Sequence, residues 1–288
     1  MTQIFLDTAS IDEIRRFLSQ GIGDGVTTNQ KIILSEGSID LKARIVEICA
    51  LKPDWPVSVE TTTKTVDALV AEAEEYASWH SNVVIKVAMD KDGVALKVAK
   101  KLQEMSIRTN LTAMVTINQL YLAAEAGATY VSFFFNRARD AGIDPVSTIE
   151  KVVRLLERDT KSRLICGSIR KPEDVEEILC AGAHILTIPP KVLTQMPFHP
   201  KTEETIREFD QAWLEFTGKT HPHTSMSTVV DLEKTQVTRA YDGIPVASCI
   251  DDSIPVVGHP SRRDQSASRQ ERALVAIAVD TDPGAGTV

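Results

Sequence analysis

Eight short runs rich in β-branched residues, alternating with segments of helical periodicity, predict an α/β fold: a (β/α)8 TIM barrel with a C-terminal extension. The runs lie at 4–6, 25–28, 57–60, 83–87, 108–111, 130–134, 163–167 and 184–188. Their starts are 21, 32, 26, 25, 22, 33 and 21 residues apart, spacings that suit βα units. Near-continuous apolar stretches such as Val83-Val84-Ile85 fit strands covered on both faces. A doubly wound open sheet is the alternative, because alternation by itself does not close a barrel.

The helical segments follow in order. Ile11, Ile14, Phe17 and Leu18 share one face after the first strand. Residues 66–79 are rich in Ala and Glu, both good helix formers. At 172–181, Pro172 opens a helix with Glu173 and Asp174 in its first turn, where negative charge suits the helix dipole. The last barrel helix is expected near 203–215. After Gly218 the character changes, for residues 219–288 hold one aromatic, Tyr241, among many Ser, Thr, Pro and Asp. The expected domains are a barrel over 1–217 and a poorly ordered or small appended segment over 218–288. Within that extension, 245–257 reads as one or two strands and 271–279 as a helix.

Composition narrows the function. The 288 residues are 43% apolar and 25% charged, enough core to fold without a disulfide or metal staple. A net charge of −8 disfavours nucleic acid and anionic membrane as partners, while leaving small anions to a local cluster of Arg. Cys49, Cys166, Cys180 and Cys249 are scattered, with no CxxC, which suggests a reducing compartment. The six histidines form no zinc pattern, and no metal is expected. No apolar run approaches 18 residues, so no membrane span is expected. The first residues carry neither a basic segment nor a long apolar one, so a secretory signal is not expected and the cytoplasm is the expected location. No GxGxxG follows the first strand and there is no Walker lysine loop, which removes the two commonest nucleotide readings.

Barrel enzymes carry their chemistry at the C-terminal strand ends. Those ends offer Asp7, Asn29, Glu60, Lys86, Asn110, Thr112, Ser132, Arg137, Ser168 and Arg170. Lys86 sits within Val84-Ile85-Lys86-Val87, so it must be paired or neutral, and a neutral amine adds to a ketone to form a Schiff base. A strand-end lysine that snorkels to solvent is the plainer reading; the carboxylates expected on strands one and three favour the nucleophile. Asp7 is the candidate acid/base, because Ser10 is better placed to cap the helix that follows. Glu60 and Thr112 together suit a water that shuttles protons, although a surface strand end and a helix cap are equally good readings of each alone. Arg137, Ser168 and Arg170 suit a phosphate group, with pairing to surface acids as the alternative for either arginine.

Together these residues resemble the transaldolase family, including the small fructose 6-phosphate aldolases. The matching segments are Phe5-Leu6-Asp7-Thr8-Ala9, Gly25-Val26-Thr27-Thr28-Asn29, Val84-Ile85-Lys86-Val87, Asn110-Leu111-Thr112, Ala126 to Ser132, Ser168-Ile169-Arg170 and Thr187-Ile188-Pro189-Pro190. The resemblance covers residues 2 to about 216 and nothing after about 218. It implies a class I Schiff-base barrel with no cofactor beyond the covalent imine on Lys86, Asp7 as acid/base, and a catalytic water held by Glu60 and Thr112. It implies that Asn29, Asn110 and Ser132 bind a dihydroxyacetone unit, while Arg137, Ser168 and Arg170 hold the sugar phosphate. The aldolase branch resembles Gln at the position of Glu60 and Tyr at that of Phe134, so Glu60 and Phe134 follow the transferase pattern.

The expected function is therefore transfer of a dihydroxyacetone unit from a ketose phosphate to an aldose phosphate, as in the pentose phosphate pathway. The expected partners are small-molecule sugar phosphates and further copies of the chain in a homo-oligomer. The alternatives are fructose 6-phosphate aldolase-like cleavage and a non-catalytic sugar-phosphate-binding barrel. The chain departs from the family at Gln30, Ala88 and Phe133, where Pro is usual. Each lost Pro frees φ and restores an amide donor, and Gln30 and Phe133 are expected to add bulk beside the site, which suggests an unusual sugar phosphate.

Overall fold

A computed structural model describes residues 1–37 and 40–218. Its strands are β1 (Gln3–Asp7), β2 (Gly25–Thr27), β3 (Val57–Glu60), β4 (Val83–Ala88), β5 (Thr109–Met114), β6 (Tyr130–Phe134), β7 (Arg163–Gly167) and β8 (Ile185–Ile188). Its helices are α1 (Ile11–Ser19), α2 (Gln30–Ser35), α3 (Leu41–Leu51), α4 (Val66–Ala77), α5 (Val94–Glu104), α6 (Ile117–Glu125), α7 (Phe135–Asp140), α8 (Pro145–Asp159), α9 (Pro172–Cys180), α10 (Pro190–Gln195) and α11 (Pro200–Thr217).

Every strand pairs in parallel with the next, and β8 closes onto β1 through Ile4 opposite Leu186. The open-sheet alternative is thereby excluded, and the fold is a (β/α)8 barrel. The two long gaps between strand starts have a simple cause. Two helices, α2 and α3, lie between β2 and β3, and α7 and α8 lie between β6 and β7. Strand β5 runs to Met114, three residues past the predicted end, through a shift in its pairing with β6 between Leu111 and Met114. The possible strands at 245–257 and helix at 271–279 lie outside the described residues.

Local chemistry sets the helix starts. Ser10 accepts from the Glu13 N–H to open α1, Thr65 caps α4 and Asp144 caps α8 ahead of Pro145. Thr116 and Gln119 form a reciprocal capping box on α6. Since Ser10 and Thr116 take these capping roles, Asp7 and Thr112 are left to the strand ends.

The period-2 alternation of strands sorts each side chain into the barrel or against the helices. The barrel floor is filled by Phe5, Val84, Tyr130, Ile165 and Ile185, with Phe5 and Tyr130 in edge-to-face contact at 6.0 Å. Gly25 leaves room for this layer, because a Cβ there would lie 2.7 Å from the Phe5 ring. A larger cluster, including Leu6, Val26, Val87, Leu111 and Phe133, fills the shell between barrel and helices. Phe133 is fully buried in that outer shell. The bulk expected of it beside the site is therefore absent, because its side chain points the opposite way from those of Ser132 and Phe134.

Candidate active site

One residue-pair step above the floor, the inward positions turn polar. Asp7 ends β1, Lys86 sits in β4, Asn110 and Thr112 in β5, and Ser132 in β6. With Arg137 of α7 they line a cavity of about 120 Å³ at the C-terminal end of the barrel. Asn29, Phe134 and Ser168 line it too.

Lys86 is 6% exposed and its ammonium is held from two sides. Nζ donates to the Thr28 carbonyl at 2.9 Å and lies 3.3 Å from Glu60 Oε2. The barrel register explains the second contact, since Glu60 is directly opposite Lys86 across the β3–β4 ladder. Asn110 is opposite Lys86 on the other side. Its amide donates to Ser58 Oγ at 3.1 Å and its Oδ1 accepts from Ser132 Oγ at 2.7 Å. These bonds hold the Asn110 amide between the two serine hydroxyls.

Asp7 is partly buried and accepts from Thr27 Oγ1 at 2.8 Å. Burial pushes its carboxyl above the usual carboxylate range, against the opposing pull of the Lys86 charge and the Thr27 hydrogen bond, while the Glu60 charge adds to the rise. Thr27 in turn meets the Thr187 hydroxyl. Thr112 Oγ1 is fully buried and makes no hydrogen bond within the described residues, so its donor and acceptor capacity is open to a reacting oxygen.

The mouth over β6 and β7 is shaped by backbone as much as by side chains. Ser168 has a φ of 62°, a left-handed conformation uncommon for a residue with a Cβ. Asn136 donates to its carbonyl at 2.9 Å, and the N–H groups of Arg170 and Lys171 both donate to the buried Asp174 carboxylate. Arg137 lies over the Phe134 ring at 4.8 Å from its centroid. Arg170 does not line the cavity. Its guanidinium forks onto Asp140, with bonds of 3.0 and 2.5 Å, which is the pairing to a surface acid that was the alternative to a phosphate contact. The two are 30 residues apart and meet because α7 and the β7–α9 turn lie side by side.

Nine of the candidate residues thus border one cavity, and Glu60 joins them through its ion pair, while Arg170 stands outside. Sequence reasoning gave no role to Ser58, Thr27 or Thr187, which support Asn110 and Asp7. Their signal was the same inward parity that marks Lys86, legible only once the strand bounds are known.

The Transaldolase/Fructose-6-phosphate aldolase family model matches residues 4–240. The chain belongs to the transaldolase/fructose-6-phosphate aldolase family. A protein from Carboxydothermus hydrogenoformans named "Probable transaldolase" is 45% identical over 212 residues, 73% of this chain and 97% of that protein. One of the same name from Pelotomaculum thermopropionicum is 42% identical over 218 residues, 75% of this chain and 100% of that one. Another, from Streptococcus equi subsp. zooepidemicus, is 39% identical over 215 residues, with 74% and 99% coverage. Within this transaldolase/aldolase barrel, no group of three His, Cys, Asp or Glu gathers as a metal site among the described residues. No helix among them is long and apolar enough to cross a membrane.

Proposed function

We propose that the protein transfers a dihydroxyacetone unit from a ketose phosphate to an aldose phosphate through a Schiff base on Lys86. The observation that carries this reading is a buried lysine with one carboxylate beside it and a second carboxyl group in the same cavity. Glu60 lies 3.3 Å from its nitrogen, and Asp7, raised by burial, lines the same cavity.

In this reading the Lys86 amine adds to the ketose carbonyl, and water leaves as the iminium forms. Glu60 and the open Thr112 hydroxyl hold the water through which those protons pass. Asp7 then takes the proton of the hydroxyl on the far carbon of the bond to be broken. That bond cleaves, the aldose departs, and its electron pair stays on the three-carbon fragment as an enamine. An acceptor aldose receives the fragment, Asp7 returns its proton to the new alkoxide, and water releases the ketose product. Asn29, Asn110 and Ser132 suit the fragment's hydroxyls. Arg137 and Ser168, with Arg170 once it leaves Asp140, suit the phosphate.

Glu60 and Phe134 favour transfer over cleavage, for no phenol stands at Phe134 to protonate the fragment early. Of the three departures from the family, Gln30 and Ala88 border the groove beside Glu60, and they support an unusual sugar phosphate as substrate. A homo-oligomer in the cytoplasm completes the reading, and the buried thiols of Cys49 and Cys166 suit a reducing compartment. Incubation with a ketose phosphate donor and an aldose phosphate acceptor tests it. A new ketose phosphate longer than the acceptor by three carbons is expected, and its formation should vanish in Lys86→Ala.

A further inference from the structure

Residues 28–30 meet the Lys86–Glu60 pair twice. The Thr28 carbonyl accepts from Lys86 Nζ at 2.9 Å. Two residues on, the Gln30 side-chain amide donates to the Thr61 carbonyl at 3.1 Å and leans on the Glu60 carbonyl at 3.5 Å. Other groups hold the rest of the N–H and hydroxyl donors of the turn after Glu60. Thr61 donates its N–H to the Lys86 carbonyl at 2.9 Å, and its hydroxyl reaches the same oxygen at 3.3 Å. The N–H and hydroxyl groups of Thr62 and Thr63 all converge on the Glu72 carboxylate. The carbonyls of Glu60 and Thr61 are the ones that Gln30 reaches.

Nothing in the fold itself requires an amide at this place. Gln30 is exposed, and Asn29 already caps α2 by accepting from the Ile32 N–H. Gln30 is the first residue of that helix, where a backbone N–H has no helical partner and Pro is equally at home. Replacing Pro by Gln at a helix's first position therefore changes little in the backbone, and the new element is the side-chain donor.

We propose that Gln30 is a positioning residue for Glu60: its amide fixes the Glu60–Thr61 peptide and so sets where the Glu60 carboxylate meets Lys86. The proposal rests on the Schiff-base reading above. It assigns Gln30, one of the chain's three departures from the family, a role in the proton steps of imine formation.

The test is a double-mutant cycle in full-length protein, read by single-turnover borohydride trapping of a three-carbon fragment on Lys86. Gln30→Ala should slow trapping about 3- to 10-fold, the scale of one hydrogen bond's net worth. Its half-saturating donor concentration and its Tm should match wild type. Gln30→Pro should show the same loss with α2 intact. In a Glu60→Gln background, Gln30→Ala should add nothing, because its effect runs through that carboxylate. No slowing in either variant, or equal slowing in both backgrounds, overturns the proposal while leaving the Schiff base standing. If Glu60→Gln itself traps at the wild-type rate, Glu60 has no proton role and the proposal falls with it. Absence of label on Lys86 in wild type overturns both readings together.

Discussion

Glu60 and Lys86 stand directly opposite one another on adjacent parallel strands, and their charged groups meet at 3.3 Å inside the barrel mouth. A buried charge pair of this kind is weak evidence for stability, since desolvation offsets much of the attraction. Its value lies in chemistry, because the carboxylate is within reach of every proton that passes to or from the lysine nitrogen. Glu60→Gln keeps the shape and removes the charge. It should slow imine formation strongly while leaving the barrel folded, as read by trapping rate against circular dichroism.

Asp7 sets the opposite balance. Burial raises its carboxyl, so ionising it costs the folded state. The stability associated with Asp7 is full at pH values below the ordinary carboxylate range and is lost as pH rises through its folded value. Asp7→Asn should therefore gain thermal stability relative to wild type at neutral pH, and gain less at about pH 4. The same variant should lose turnover by about 10²- to 10⁴-fold, the usual worth of a positioned acid/base. Paired melting curves and activity assays check both.

Glu72 gives the reverse sign. Six bonds hold its carboxylate against Thr62, Thr63 and Tyr76. They lower it to about 2 from an ordinary 4.5, despite the opposing effect of burial. Its stabilisation is thus present above about 4.5 and is lost as pH falls from there toward about 2. Glu72→Gln should unfold less steeply with acid than wild type across that window, and should be less stable at neutral pH. Acid titration followed by tryptophan fluorescence reads the difference.

The phosphate end separates two arginines that look alike in the sequence. Arg137 lines the cavity, while Arg170 is bound to Asp140. Arg137→Ala should weaken sugar-phosphate binding about tenfold or more, as loss of a charged hydrogen bond does, with little effect on the dephosphorylated sugar. Arg170→Ala should cost less, because leaving Asp140 offsets what that side chain gains from phosphate. Asp140→Asn should tighten phosphate binding. Calorimetric titration of the three variants orders them.

What the sequence made legible follows from the physics of strands. Strand spacing located every barrel strand, and the change from apolar to polar at strand ends marked Asp7, Lys86 and Asn110 together. Closure was expected from the count of eight βα units, although the β8–β1 pairing that makes it joins the two ends of the barrel and leaves no local trace of its own. Phe133 was misjudged beside the site because neighbours in a strand face opposite ways, and only Ser132 and Phe134 share the interior. The Arg170–Asp140 pair and the reach of Gln30 to Thr61 depend on which loops meet across the mouth, which no periodicity encodes.

The most direct test of the account is the site of the covalent bond. Borohydride added during incubation with a competent ketose phosphate should reduce the imine and leave a three-carbon fragment, which peptide mass mapping should place on Lys86. Lys86→Ala should take up no label under the same conditions. A fragment mapped to another lysine, or labelling undiminished in Lys86→Ala, would contradict the account.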